Sequence, residues 1–145
     1  MWVSIPCSRS SPLSIEFFVP GKPAPQGSKK HVGRGILVES SKELGPWRER
    51  VALAAADQTK ELIQKPHEVS VVLTFVLPRP ASAPKTKKAL ASKRPDVDKL
   101  ARAILDALTD VVFQDDSQVI SLRANKYIAN PGEQPGVHVW VYDLT

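Results

Sequence analysis

RPDVDKLARAILDALTDVVFQDD, residues 94–116, sets two aspartates one residue apart before a helical pattern and two adjacent aspartates after it. Leu100, Ile104, Leu108 and Val111 recur at three and four, and Ala101, Leu105 and Val112 widen the stripe. That spacing predicts an amphipathic helix lying on a core. Asp98, Arg102 and Asp106 fall off the stripe, toward solvent or a cleft.

Outward from this helix the chain reads as strands. Toward the C-terminus, Ile120, Leu122 and Ala124 alternate with Val119, Ser121, Arg123 and Asn125, and after the turn NPGEQPG, Val137, Val139 and Val141 alternate with His138, Trp140 and Tyr142. These two strands are expected to pair as a hairpin across the turn. Toward the N-terminus, Val69, Val71, Leu73, Phe75 and Leu77 alternate with Ser70, Val72, Thr74 and Val76, the pattern of a central strand. Before it, Leu44, Trp47, Val51, Ala54, Ala55 and Leu62 predict a first helix of about five turns, with Pro46 near its start and Pro66 barring continuation. Leu13, Ile15, Phe17 and Val19 mark an opening strand that Pro20 and Gly21 stop. The order of elements implies an α+β single domain, a mixed β-sheet packed against two helices.

Two segments fall outside these patterns. GKPAPQGSKKHVGRG, residues 21–35, is rich in Gly, Pro and base and reads as an irregular loop. Pro78 to Pro95 holds six basic residues and no acidic one, a basic loop in which KTKKALAS has the composition of a short helix. Residues 1–12 read as a loose N-terminal segment.

The 145 residues fit one domain, 1–145, with a core of its own. Net charge is +5, and its distribution is uneven: residues 1–95 hold 16 Lys+Arg against 7 Asp+Glu, or +9, and residues 96–145 hold 4 against 8, or −4. Runs of base favour a polyanionic partner, nucleic acid first. The single cysteine, Cys7, excludes an internal disulfide and a cysteine-built zinc site, which fits a reducing cytoplasm. No apolar run approaches the roughly 18 residues that span a bilayer. His31, His67 and His138 lack metal-ligand spacing and are expected to be structural.

Each aspartate has a plain explanation. Asp96 or Asp98 suits a helix N-cap; Asp115 and Asp116 suit a turn. Arg102, four residues from both Asp98 and Asp106, suits an i, i+4 ion pair. Together the four acids suit a hard cation such as Mg²⁺, which takes carboxylate oxygens, substrate phosphates and water. Phosphodiester hydrolysis needs neutralised phosphate charge and an activated water, and an acidic pocket in a basic surface meets both needs.

The residues resemble a known family, the RusA-type Holliday-junction resolvases. The likeness is strongest over PDVDKLARAILDALTDVVFQDDSQV, residues 95–119, where D-x-D, the helix with D-A-L-T, and D-D-x-Q-V follow in order. VPGKPAPQGSKK resembles the family's early loop, WRERV its first helix, and the end of the chain its last strands. The resemblance implies a homodimeric, Mg²⁺-dependent endonuclease, with Mn²⁺ as a substitute metal, that nicks two strands symmetrically at four-way junction DNA in a bacterial cytoplasm, encoded by host or phage. It casts Asp96, Asp98 and Asp116 as metal-binding carboxylates and Asp115 as an adjacent helper. Better-known members carry an asparagine where Lys99 stands and an essential lysine where Arg102 stands. Either Arg102 replaces that lysine or its role has passed to Lys99, and arginine is no neutral substitute because it stays protonated. Phosphate contact is expected from Lys22, Gln26, Ser28, Lys29 and Lys30 in the early loop and from Lys85, Lys87, Lys88, Lys93 and Arg94 in the basic loop.

Two alternatives share these features: a metal nuclease acting on flaps or duplex, and a non-catalytic basic nucleic-acid-binding protein whose aspartates only cap and turn. A haloacid-dehalogenase phosphotransferase fits poorly, since ASKRP rather than an apolar strand precedes Asp96, and an EF-hand lacks its glycine and later ligands.

Overall fold

Nine residues, Val69–Leu77, apolar except for Ser70 and Thr74, form β4, and the rest of the domain is arranged to cover that strand. The computed structural model describes residues 14–27, 29–31, 37–39, 42–59, 61–85 and 88–144, with the backbone alone at 29–31 and 37–39. The loose N-terminal segment, Cys7, Ser28 and Lys87 lie outside the described residues. The elements in chain order are β1 (Ser14–Pro20), β2 (Lys29–His31), β3 (Leu37–Glu39), α1 (Leu44–Gln58), β4, α2 (Val97–Leu108), β5 (Val119–Ile128) and β6 (Gly136–Asp143).

The main sheet has the order β1-β6-β4-β5. β6 is antiparallel to both β1 and β4, and β5 is parallel to β4, so the sheet is mixed. Ile15, Phe17, Val19, Val71, Leu73, Phe75, Val137, Val139 and Val141 are buried on one face, and both helices contribute to the same core. On α2 the predicted stripe is the buried one: Leu100, Ile104 and Leu108 are fully enclosed, each contributing about 2 kcal/mol of apolar transfer. The expected α+β class, central β4 and two helices are all present.

Four local expectations differ. The last two strands do not form a hairpin, because β6 pairs with β1 and β4 while β5 pairs only with β4. α2 is the crossover of a parallel β4-α2-β5 unit. The segment after β5 then passes the end of β4, where Ala129 N–H donates to Leu77 C=O at 2.8 Å, and enters the sheet on the other side. A central strand has two edges to satisfy, and local alternation does not say which neighbour fills which. α1 also stops at Gln58, with Thr59 extended, one turn short of the prediction. The chain is drawn away because Ile63, 4% exposed, bonds the backbone after α2: its N–H donates to Val112 C=O at 2.8 Å and its C=O accepts from Gln114 N–H at 3.0 Å. Finally, the Gly- and Pro-rich early loop contains β2, which pairs antiparallel with β3 from Lys29↔Glu39 to His31↔Leu37. The described part of KTKKALAS is not helical. No helix among the described residues is long and apolar enough to cross a membrane.

Candidate active site

α2 begins at Asp96, whose backbone is extended (φ −74°, ψ 140°) and whose C=O accepts from Leu100 N–H at 3.1 Å. This is the geometry of an N-cap, yet the Asp96 side chain makes no cap hydrogen bond. Its carboxylate instead lies 3.7 Å from Lys99 Nζ, in a pair that is about half exposed on both sides. Two residues on, Asp98 is exposed and has no hydrogen bond or ion pair among the described residues. The bland reading of the D-x-D as a capping device therefore fails for its side chains.

Asp96 also lines a cleft of about 950 Å³. The early loop contributes Lys22 to its lining, the basic loop Lys93 and Arg94, and α2 Lys99, with Glu43 as a second carboxylate. Four of the expected phosphate-binding or catalytic cations thus share one cleft with Asp96. Leu77 and Ile128, at the ends of the parallel strand pair, line the same cleft. Lys22 is additionally 3.8 Å from Glu43, both well exposed. Lys85 and Lys88 line a separate cleft of about 400 Å³ with Tyr127 and Asn130. Gln26 is engaged within the protein: its N–H donates to Lys99 C=O at 2.9 Å and its side-chain oxygen accepts from Arg48 at 3.2 Å. Arg48 in turn lies 3.6 Å from Asp106 on α2, so these contacts fasten the early loop and α1 to α2. Of the remaining contacts expected in the early loop, the Lys29 and Lys30 side chains, like Ser28, lie outside the described residues.

The second acidic pair is built differently. Asp115 caps the single 3-10 turn Asp116–Gln118 with a complete capping box. Its carboxylate accepts from Ser117 N–H at 3.0 Å and its own N–H donates to Gln118 Oε1 at 2.8 Å. Hydrogen bonding from Ser117, side chain first and backbone second, holds the Asp115 carboxyl below its ordinary range. Gln118, the buried polar residue of the core, uses its other end to donate to Ile63 C=O at 3.1 Å and His67 C=O at 3.0 Å. Gln118 was not among the expected site residues, although D-D-S-Q carries the capping-box pattern that could have found it.

Asp116 is left facing α2, where its carboxylate lies 3.7 Å from Arg102. Arg102 therefore reaches across to the second acidic pair rather than pairing along its own helix. Six residues separate Asp96 from Arg102, about 9 Å along a helix axis. The carboxylates Asp96, Asp98 and Asp116 are accordingly strung along the first half of α2. Among the described residues no three of His, Cys, Asp and Glu come together as a metal-binding group. The donors themselves suit a hard divalent cation, being carboxylate oxygens of which those of Asp96 and Asp98 are free of cap bonds, and Mg²⁺ asks the protein for only one or two of them. His67 pairs with Asp143 at 3.2 Å, and His138 packs between Phe18 and Trp140, so neither is available as a ligand donor to this site.

The chain is similar to known proteins over most of its length. Residues 20–142 match the family described as endodeoxyribonuclease RusA. The chain is also 29% identical to the uncharacterized protein YqaN of Bacillus subtilis (strain 168), in an alignment of 141 residues that covers 90% of this chain and 97% of that protein.

Proposed function

The chain belongs to the RusA endodeoxyribonuclease family, and from that premise we propose that it resolves four-way DNA junctions by paired, symmetrical phosphodiester hydrolysis that depends on Mg²⁺, with Mn²⁺ as a substitute. The observation that carries this reading is the placement of Asp96, an uncapped carboxylate in a cleft that Lys22, Lys93, Arg94 and Lys99 also line, with Glu43 as its second acid. Such a cleft draws in a phosphate backbone and presents it to acid.

Asp96, Asp98 and Asp116 are the carboxylates offered to the cation, of which one or two would hold it, and when bound it would neutralise phosphate charge and activate a water. Lys22, Lys93 and Arg94 bind the DNA backbone along the cleft. Lys99 and Arg102, each beside one of these carboxylates, keep the acids oriented and offer positive charge to the oxygens of the reacting phosphate. Asp115 supports Asp116 by closing the turn that carries it. A two-fold junction requires two sites for paired nicks, and a homodimer, the commonest closed oligomer, supplies them.

The test is cleavage of a labelled four-way junction, a flap and a linear duplex by the wild type and by Asp98→Asn, each with Mg²⁺ and with chelator, beside a binding assay. Paired junction nicks by the wild type with Mg²⁺ alone, and a mutant that binds without cutting, are expected. Preferential cutting of flap or duplex would replace the junction as substrate. Binding without any cutting by the wild type would reduce the acids to structural features.

A further inference from the structure

Residues 96–145 hold four basic residues, and Lys99 and Arg102 are accounted for by their aspartates. Lys126 is placed with equal definition. It stands on β5 in register with Phe75 of β4, whose side chain is fully buried beneath the helices, so its stem leaves the sheet on the helix-covered face. There its Nζ donates to two main-chain carbonyls, those of Lys93 and Pro95, each at 2.7 Å. Hydrogen bonds from an ammonium are the short, strong kind, and this one is partly withdrawn from solvent.

The two carbonyls are the last turns of the basic loop before α2. Pro95 directly precedes Asp96, and Lys93 and Arg94 line the cleft with it. The main chain at Asp96 is therefore held from both sides. Lys126 takes the carbonyl before it, and the helix takes its own carbonyl through Leu100 N–H. The carboxylate is left out of both contacts.

We propose that Lys126 is a positioning residue for cleavage: its ammonium joins the end of the basic loop to the start of α2, so that Lys93, Arg94 and Asp96 face one cleft in a fixed relation. It contacts no reacting group. The inference rests on the nuclease reading above and adds a residue on a different element of the fold to it.

Lys126→Met keeps most of the stem and deletes the donor, whereas Lys126→Arg keeps a cation with several donors. At saturating protein, the single-turnover cleavage rate of the Met variant is expected to fall roughly 10- to 100-fold, the scale of a small misplacement at a reacting centre, with junction affinity within about threefold of wild type. The Arg variant should recover most of the rate. In protein free of DNA and metal, hydrogen exchange of the amides of residues 93–100 should accelerate in Lys126→Met and return toward wild type in Lys126→Arg. If the Met variant does not stay folded, Lys126→Ala, which also lacks a donor, makes the same comparison. Unchanged exchange in the 93–100 segment overturns the proposal, as does a wild-type cleavage rate in the Met variant. Lost affinity with an unchanged rate overturns it as well, making Lys126 a DNA contact. If the wild type itself never cuts, the nuclease reading fails instead, and the exchange measurement still decides whether Lys126 locks this segment.

Discussion

Two aspartates in this chain begin helical turns, and they use the position in opposite ways. Asp115 turns its carboxylate back to accept from Ser117 N–H and donates its own N–H to Gln118 Oε1. Asp96, also extended in its backbone, makes neither contact and lines a cleft shared with Lys22, Lys93, Arg94 and Lys99. The residue three places on accounts for the difference. Gln118 has the acceptor that a capping box needs, and Lys99, a donor only, cannot bond back to the Asp96 N–H and instead pulls the carboxylate outward. An aspartate before a helix is thus structural or available according to its partner at the third helical position.

The largest effect that would test this contrast is on catalysis. Asp96→Asn is expected to lower junction cleavage by about three orders of magnitude or more, on the scale of removing a group that acts at the transition state. Its melting temperature should stay within roughly 2 °C of wild type, because no cap bond is lost. A marked loss of stability, measured by thermal or urea unfolding, would mean that Asp96 is a cap after all. Gln118→Ala should show the opposite balance. It strips partners from the Asp115 N–H and from the Ile63 and His67 carbonyls in and beside the core, at a cost of about 2–4 kcal/mol. Urea unfolding measures that directly, and a cost below about 1 kcal/mol would show the network to be replaceable by water.

The exchange can also be attempted on Asp96 itself. Lys99→Gln recreates at the start of α2 the pattern that Asp115 uses, D-x-x-Q. It is expected to raise stability by about 0.5 kcal/mol as the carboxylate turns toward the helix end. A solvent-exposed ion pair is lost in the exchange, and such pairs are worth little. If stability falls instead, the third residue alone does not decide where the carboxylate goes.

What was legible in the sequence follows the range of the forces involved. The stripe of α2 and the alternation in β1, β4 and β6 are local consequences of burial, and the structure buries the residues they single out. The neighbours of β6 were not legible, since the turn after β5 looks the same whether the chain folds back beside β5 or passes the end of β4. At the site, the D-x-D and the D-D stand out because they gather acid in a chain of net charge +5, but their partners lie across the fold. Arg102 has candidate partners at four residues on its own helix and pairs with Asp116 instead. Lys126 reads as an ordinary strand residue until its two carbonyls are seen. The capping box was the one contact readable from spacing alone, and it separates Asp115 from the other three acids.

The smallest expected effect concerns that separation in acid. A carboxyl whose value is depressed on folding stabilises the fold above its unfolded value, here near the ordinary 3.8, and the contribution disappears as pH falls through the lower folded value. The melting temperature of wild type should therefore drop more steeply below about pH 4 than that of Asp115→Asn, whose amide oxygen can still accept from Ser117 N–H but does not titrate in this range. Glu133, also held low by its hydrogen bond from Tyr127, titrates in the same region, but it does so equally in both proteins and cancels from their difference. Above about pH 5 the two curves should run parallel. Identical acid slopes would mean that Ser117 does not hold the Asp115 carboxylate in solution, and Asp115 would then be as free to serve the cleft as Asp96.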